Sequence, residues 1–219
     1  MKQTIYFIPG LGANCKIFER LQFDQNYFNL EYLEWIEPHK NETFDSYINR
    51  FSKSITENMP ILIGVSFGGI IAQEIGKKIN CEKIYIVSSI KSEKDFSPTM
   101  KTFKYIKAYK LFPSKYVSTL LKWGNMFSPQ SSIGKKTRLY NTYLTQRSNY
   151  YLDWSMKMVL NWKNEKPLKN IIHIQGTKDH IFPLRYIKNN VIEIKNGTHA
   201  MILFRGREIS NIIQQTINQ

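Results

Sequence analysis

Apolar positions in this 219-residue chain alternate between short continuous runs and helical spacing. Thr4-Ile5-Tyr6-Phe7-Ile8 is a β-rich run ending at Pro9-Gly10-Leu11-Gly12, which predicts a buried strand. A second strand is predicted over Asn29–Leu33. Thr43 then predicts a helix cap, because Phe44, Tyr47, Ile48, Phe51 and Ile55 follow on one stripe. Pro60 interrupts, Ile61-Leu62-Ile63 predicts another strand, and Ile70, Ile71 and Ile75 return to helical spacing before Gly76. Lys83–Val87 predicts a strand running into Ser88-Ser89. Farther along, Ile171–Gln175 and Val191–Ile194 predict two more strands, and Ile209, Ile212, Ile213 and Ile217 mark one side of a C-terminal helix. Strands separated by helices predict an α/β fold. Its mostly parallel, doubly wound sheet should have about six strands, covered on both faces.

The stretch from 91 to 165 breaks this pattern, since no run in it reads as a strand. Met100, Phe103, Ile106 and Tyr109 have helical spacing until Pro113, and Ser114–Phe127 predicts a second helix. A third follows Gly134, and a fourth spans Tyr150–Trp162, with Trp154, Met158 and Trp162 four residues apart. The expected organisation is a core of residues 1–90 and 166–219, with residues 91–165 inserted as a helical cap.

Charge sharpens that division. The chain holds 31 Lys and Arg against 17 Asp and Glu, a net +14. Residues 91–165 hold 14 basic and four acidic residues, so +10 of the excess falls within the insert. The lysines there fit a solvated basic face, capture of an acidic substrate such as an acyl-CoA or acyl-carrier thioester, or docking on an anionic membrane surface. Aromatics of the insert (Phe103, Tyr105, Tyr109, Phe112, Trp123, Phe127, Tyr143, Tyr151 and Trp154) fit cap core better than substrate wall.

Composition excludes several classes. Hydrophobic residues at 42% are too many for a disordered chain. No apolar run approaches the roughly 18–20 residues of a membrane-spanning helix. The Ile5–Ile8 run is shorter than the apolar region of a signal peptide. Cys15 and Cys81 cannot build a disulfide scaffold and read as thiols of a reducing compartment, so a cytoplasmic location is expected.

Candidate chemistry begins at Gly64-Val65-Ser66-Phe67-Gly68-Gly69, which follows one predicted strand and opens a helix. A sharp strand-to-helix turn of this kind projects a serine hydroxyl from a strained backbone, and flanking glycines remove side chains that would collide. The helix N-terminus offers N–H groups to developing negative charge. Without a base, the same letters describe only a glycine-rich turn.

A serine nucleophile needs an oriented histidine. His39 lies in a polar loop and His173 among strand isoleucines, where a hydrogen-bonded core histidine is expected. His180 directly follows Asp179 and is poorly placed to receive that carboxylate. His199, in Asn196-Gly197-Thr198-His199-Ala200, follows a strand and precedes the last helix, on the sheet edge expected for Ser66. Asp179 occupies the same edge, after Ile171–Gln175. Alone it would read as a turn aspartate. Together, Ser66, Asp179 and His199 run in the order nucleophile, acid, base, each after its own strand.

In these loops the chain resembles the α/β-hydrolase family, and the resemblance covers nearly the whole sequence. Gly64-Val65-Ser66-Phe67-Gly68 is similar to its nucleophile elbow, Gly176–Pro183 to its acid loop and Asn196-Gly197-Thr198-His199 to its histidine loop. The resemblance implies an oxyanion hole formed by the backbone N–H groups of Leu11 and Phe67. It also implies a serine nucleophile where dehalogenase and epoxide-hydrolase branches use aspartate. The chain departs from the family at Pro9-Gly10, where many members carry His-Gly. It departs again at Glu37-Pro38-His39-Lys40, which stands where a G-x-G-x-S loop is usual. The first parallel strand also comes almost at once, without the usual leading hairpin.

The expected activity is therefore cleavage of a small-molecule ester or thioester, with acidic and lipid-like substrates among the candidates, through an acyl-enzyme on Ser66, with no metal or organic cofactor. The alternative is a catalytically silent hydrolase-like core whose basic aromatic cap binds an acidic partner, a membrane surface or nucleic acid. No nucleic-acid-binding motif supports it.

Overall fold

The structure, a computed structural model, describes residues 2–106, 142–144, 148–188 and 190–217. Its strands are β1 (Gln3–Ile8), β2 (Phe28–Tyr32), β3 (Ile61–Val65), β4 (Lys83–Val87), β5 (Ile171–Gly176) and β6 (Ile192–Ile194). They form one parallel sheet in the order β2-β1-β3-β4-β5-β6. The helices are α1 (Phe44–Phe51), α2 (Phe67–Gly76), α3 (Pro98–Tyr105), α4 (Asn149–Asn161) and α5 (Gly206–Ile217).

Burial on both faces explains why the central strands are apolar without interruption. Tyr6, Ile8, Leu62, Ile84 and Ile86 pack with α1 and α2 on one face. Ile5, Phe7, Ile61, Ile63, Tyr85 and Val87 pack with Ile209 and Ile213 of α5 on the other. Each such side chain contributes about 1.5–3 kcal/mol by leaving water.

Several boundaries differ from the sequence expectation. The second strand starts at Phe28 and ends at Tyr32, although the Leu33 N–H still donates to the Phe7 carbonyl at 2.9 Å. Thr43 caps α1, its hydroxyl accepting from the Ser46 N–H at 3.2 Å. The helix stops at Phe51 and tightens into a 3-10 turn over Ser52–Ser54, so Ile55 reaches the same core from beyond the helix.

The chain between β4 and β5 contains α3 and α4. The expected helix over Ser114–Phe127, the one after Gly134, and Tyr109, Phe112, Trp123 and Phe127 lie outside the described residues. Where it is described, the segment is tied to the rest of the protein. Trp154 is buried 4.5 Å from the Tyr47 ring, and its Nε1–H donates to the Glu42 carbonyl at 2.8 Å. Tyr151 is fully buried, whereas Tyr105 is 88% exposed, so the aromatics of the insert divide between core and surface. Lys91 also departs from a solvated basic face: it is buried, and its ammonium donates to the Asn190 carbonyl at 3.2 Å. Leu144 forms an isolated antiparallel bridge with Ala13, a pairing that helical spacing does not predict. No helix among the described residues is long and apolar enough to cross a membrane.

Strand order also locates a crevice. From β1 the chain moves first outward to β2 and then back across to β3, so the connections leaving β1 and β3 diverge. The carboxyl ends of these two strands form the switch point where α/β sheets open a binding crevice. The Pro9–Gly12 turn and Ser66 lie there.

Candidate active site

Ser66 is the single residue between β3 and α2, with φ 54° and ψ −117°. That is a strained conformation for a residue with a Cβ, and crowding around the turn maintains it. A Cβ on Gly64 would sit 2.3 Å from the Gly68 carbonyl oxygen, and one on Gly68 would sit 2.2 Å from that of Ile8. Glycine is required at both positions. The backbone is then pinned: the Ser66 N–H donates to the Val87 carbonyl at 2.9 Å, and the Ser66 carbonyl accepts from the Gly69 N–H at 3.0 Å. It also accepts from the Ser89 hydroxyl at 2.7 Å. In sequence, Ser89 reads only as a strand-end polar residue.

Asp179 is held in a different way. Its side chain is completely buried, and its carboxylate accepts four hydrogen bonds. The Ile181 and Phe182 N–H groups donate to Oδ1 at 2.8 and 2.9 Å. Gln175 Nε2 and His199 Nδ1 both lie 2.9 Å from Oδ2. Because a carboxylate only accepts, His199 donates from Nδ1–H and its Nε2 is left as an acceptor. Ser66 Oγ lies 3.0 Å from that nitrogen, so its hydroxyl donates to the imidazole. The Phe182 ring meets the imidazole edge-on at 5.6 Å.

The other histidines fall elsewhere. His39 and His180 are exposed. His173 is buried, with Nε2 3.2 Å from Gln175 Oε1. Burial, and secondarily the Lys91 charge, pulls its imidazole down to about 4, so it is neutral at ordinary pH.

The Pro9–Gly12 turn runs beside the serine: a Cβ on Gly10 would sit 3.5 Å from Ser66 Cβ. Trp35 fastens the turn, its Nε1–H donating to the Gly10 carbonyl at 3.0 Å while its ring stacks on Phe67 at 5.3 Å. Phe67 is the first residue of α2, so its N–H has no intrahelical acceptor. Leu11 is half-buried in the turn. Just beyond it, the Asn14 N–H donates to the Tyr143 carbonyl at 2.8 Å and Asn14 Nδ2 to that of Thr142 at 3.1 Å.

Neither Cys15 nor Cys81 is in a disulfide, and burial pushes the Cys81 thiol up to about 11. Among the described residues no group of three His, Cys, Asp or Glu is placed to hold a metal ion.

No protein-family model matches the sequence, and comparison with curated proteins finds no relative. Solved structures match across the whole chain. An esterase from Exiguobacterium antarcticum aligns with TM-score 0.70 and 15% identity, over 99% of this chain and 92% of that one. A bromoperoxidase from Bacillus anthracis aligns with TM-score 0.71 and 15% identity, over 100% and 93%. A thermophilic esterase from Thermogutta terrifontis aligns with TM-score 0.67 and 11% identity, over 100% and 90%. The chain has the α/β-hydrolase fold.

Proposed function

We propose that this protein is a serine hydrolase that cleaves a carboxylic ester or thioester through an acyl-enzyme on Ser66. The observation that carries the reading is the unbroken line Ser66–His199–Asp179, with separations of 3.0 and 2.9 Å at the switch point of the sheet. Two of the three structural neighbours described above are esterases.

In this reading His199 Nε2 takes the Ser66 proton as Oγ attacks the substrate carbonyl carbon. Asp179 stabilises the imidazolium and fixes its tautomer. The N–H groups of Leu11 and Phe67 bind the oxyanion, aided by the positive end of α2. The imidazolium then protonates the departing alkoxide or thiolate. Water, deprotonated by His199, attacks the acyl-Ser66 ester and releases the acid.

Residues 91–165 act as the helical cap that shapes substrate access. Their basic excess favours an acidic or lipid-like acyl substrate, although Lys91 serves the core. The test is labelling with a fluorophosphonate probe, competed by esters and acyl thioesters of varied chain length and charge. Ser66→Ala should lose the label and reduce turnover by a factor of about 10⁴–10⁶. A variant that kept most of its turnover would overturn the assignment.

A further inference from the structure

The line of hydrogen bonds continues past Asp179 into the core. Gln175 and His173 lie two residues apart on β5 and are 0% and 1% exposed. The orientation of the Gln175 amide is decided by its neighbours. Nε2 lies 2.9 Å from Asp179 Oδ2 and 2.7 Å from the Phe182 carbonyl oxygen, two atoms that only accept. Both amide hydrogens are thereby used, and Oε1 faces His173 Nε2 at 3.2 Å. An acceptor at that place requires His173 to carry its proton on Nε2. Its Nδ1 then carries no proton; the Ser89 backbone lies beside the ring, and Nδ1 has no partner at hydrogen-bond geometry among the described residues.

We propose that Gln175 and His173 are positioning residues that hold the Asp179 carboxylate, and through it the His199 imidazole, in line with Ser66. This rests on the hydrolase reading above. The carboxylate cannot rotate, because Ile181 and Phe182 hold Oδ1 while Gln175 holds Oδ2. Gln175 also reaches His199 by a second route: it binds the carbonyl of Phe182, whose ring meets the imidazole. His173 anchors the far end of the amide. Gln175 further shares Oδ2 with His199, so its donor draws charge from the oxygen that would stabilise an imidazolium. The charged groups facing His173 are Lys91 and Asp179; Asp179 faces His199 directly.

Nuclear magnetic resonance of histidine-labelled protein tests this in the intact chain. His173 is expected as the neutral Nε2–H tautomer between about pH 5 and 8, identified by its ring nitrogen shifts. In Gln175→Met kcat should fall about tenfold with KM little changed. A merely structural role would lower the melting temperature and leave kcat of the folded protein in place. An Nδ1–H tautomer at His173, or an unchanged kcat in folded Gln175→Met, overturns the proposal. If that variant does not fold, the wild-type tautomer decides. Failure of the hydrolase reading would appear separately, as absence of Ser66 labelling while the resonance results stand.

Discussion

Gly176 and Gly197 touch backbone to backbone where the end of β5 meets the loop after β6. A Cβ on Gly176 would sit 2.2 Å from the Gly197 carbonyl oxygen. The Lys178 N–H donates to that same oxygen at 2.8 Å. This contact sets how closely the loops carrying Asp179 and His199 approach, and so makes their 2.9 Å separation possible.

Gly176→Ala should force the two loops apart. The expected cost is about 1–3 kcal/mol, the range of a buried overpacking change, together with a fall in kcat larger than the change in KM. Thermal unfolding and steady-state kinetics measure both. Unchanged kcat in a folded variant would mean that the loops are held together in some other way.

Ser66, the proposed nucleophile, sits in a strained backbone conformation. Its φ of 54° favours glycine, so Ser66→Gly should be more stable than Ser66→Ala by about 1 kcal/mol, with both variants inactive. Urea midpoints of the two proteins give the comparison, and equal midpoints would show that the turn stores little strain.

His173 should make stability depend on pH. Burial lowers its imidazole from 6.5 to about 4 in the folded protein. Across that window the unfolded chain binds a proton that the folded chain excludes. The contribution is therefore fully present above pH 6.5 and is lost as pH falls toward 4. The loss amounts to about 3 kcal/mol. Urea midpoints collected across the window should flatten in His173→Gln, and a slope equal to wild type would contradict the assignment.

Trp35→Phe should disturb the turn beside Ser66 without removing any reacting group. The Gly10 carbonyl loses a donor at 3.0 Å and Phe67 loses part of its stacking partner. Stability should fall by about 1–2 kcal/mol, and kcat by about tenfold with KM nearly constant, if the N–H of Leu11 binds the oxyanion. Equal losses in folded fraction and in activity would limit Trp35 to packing.

What could be read from the chain was local. The runs at Ile5–Ile8, Ile61–Ile63 and Lys83–Val87 announce central strands because burial on both faces leaves no polar position to disguise them. Gly64 and Gly68 mark the Ser66 turn because only glycine fits beside a neighbouring backbone there. The short edge β6 and the 3-10 end of α1 shifted by a residue or more, since end positions are settled by neighbours in space.

The supporting residues were hidden for the same reason. Ser89, Trp35 and Gln175 lie 23, 25 and four residues from the groups they hold, and nothing in their own sequence surroundings signals a partner. The order Ser66, Asp179, His199 and the strand preceding each were written in the sequence, because secondary structure and turn chemistry depend on near neighbours. Their separations of 3.0 and 2.9 Å, and the line that continues through Gln175 to His173, were decided by tertiary structure. Parallel pairing of distant strands is what places these loops on one edge, and that pairing exists only once the sheet is assembled.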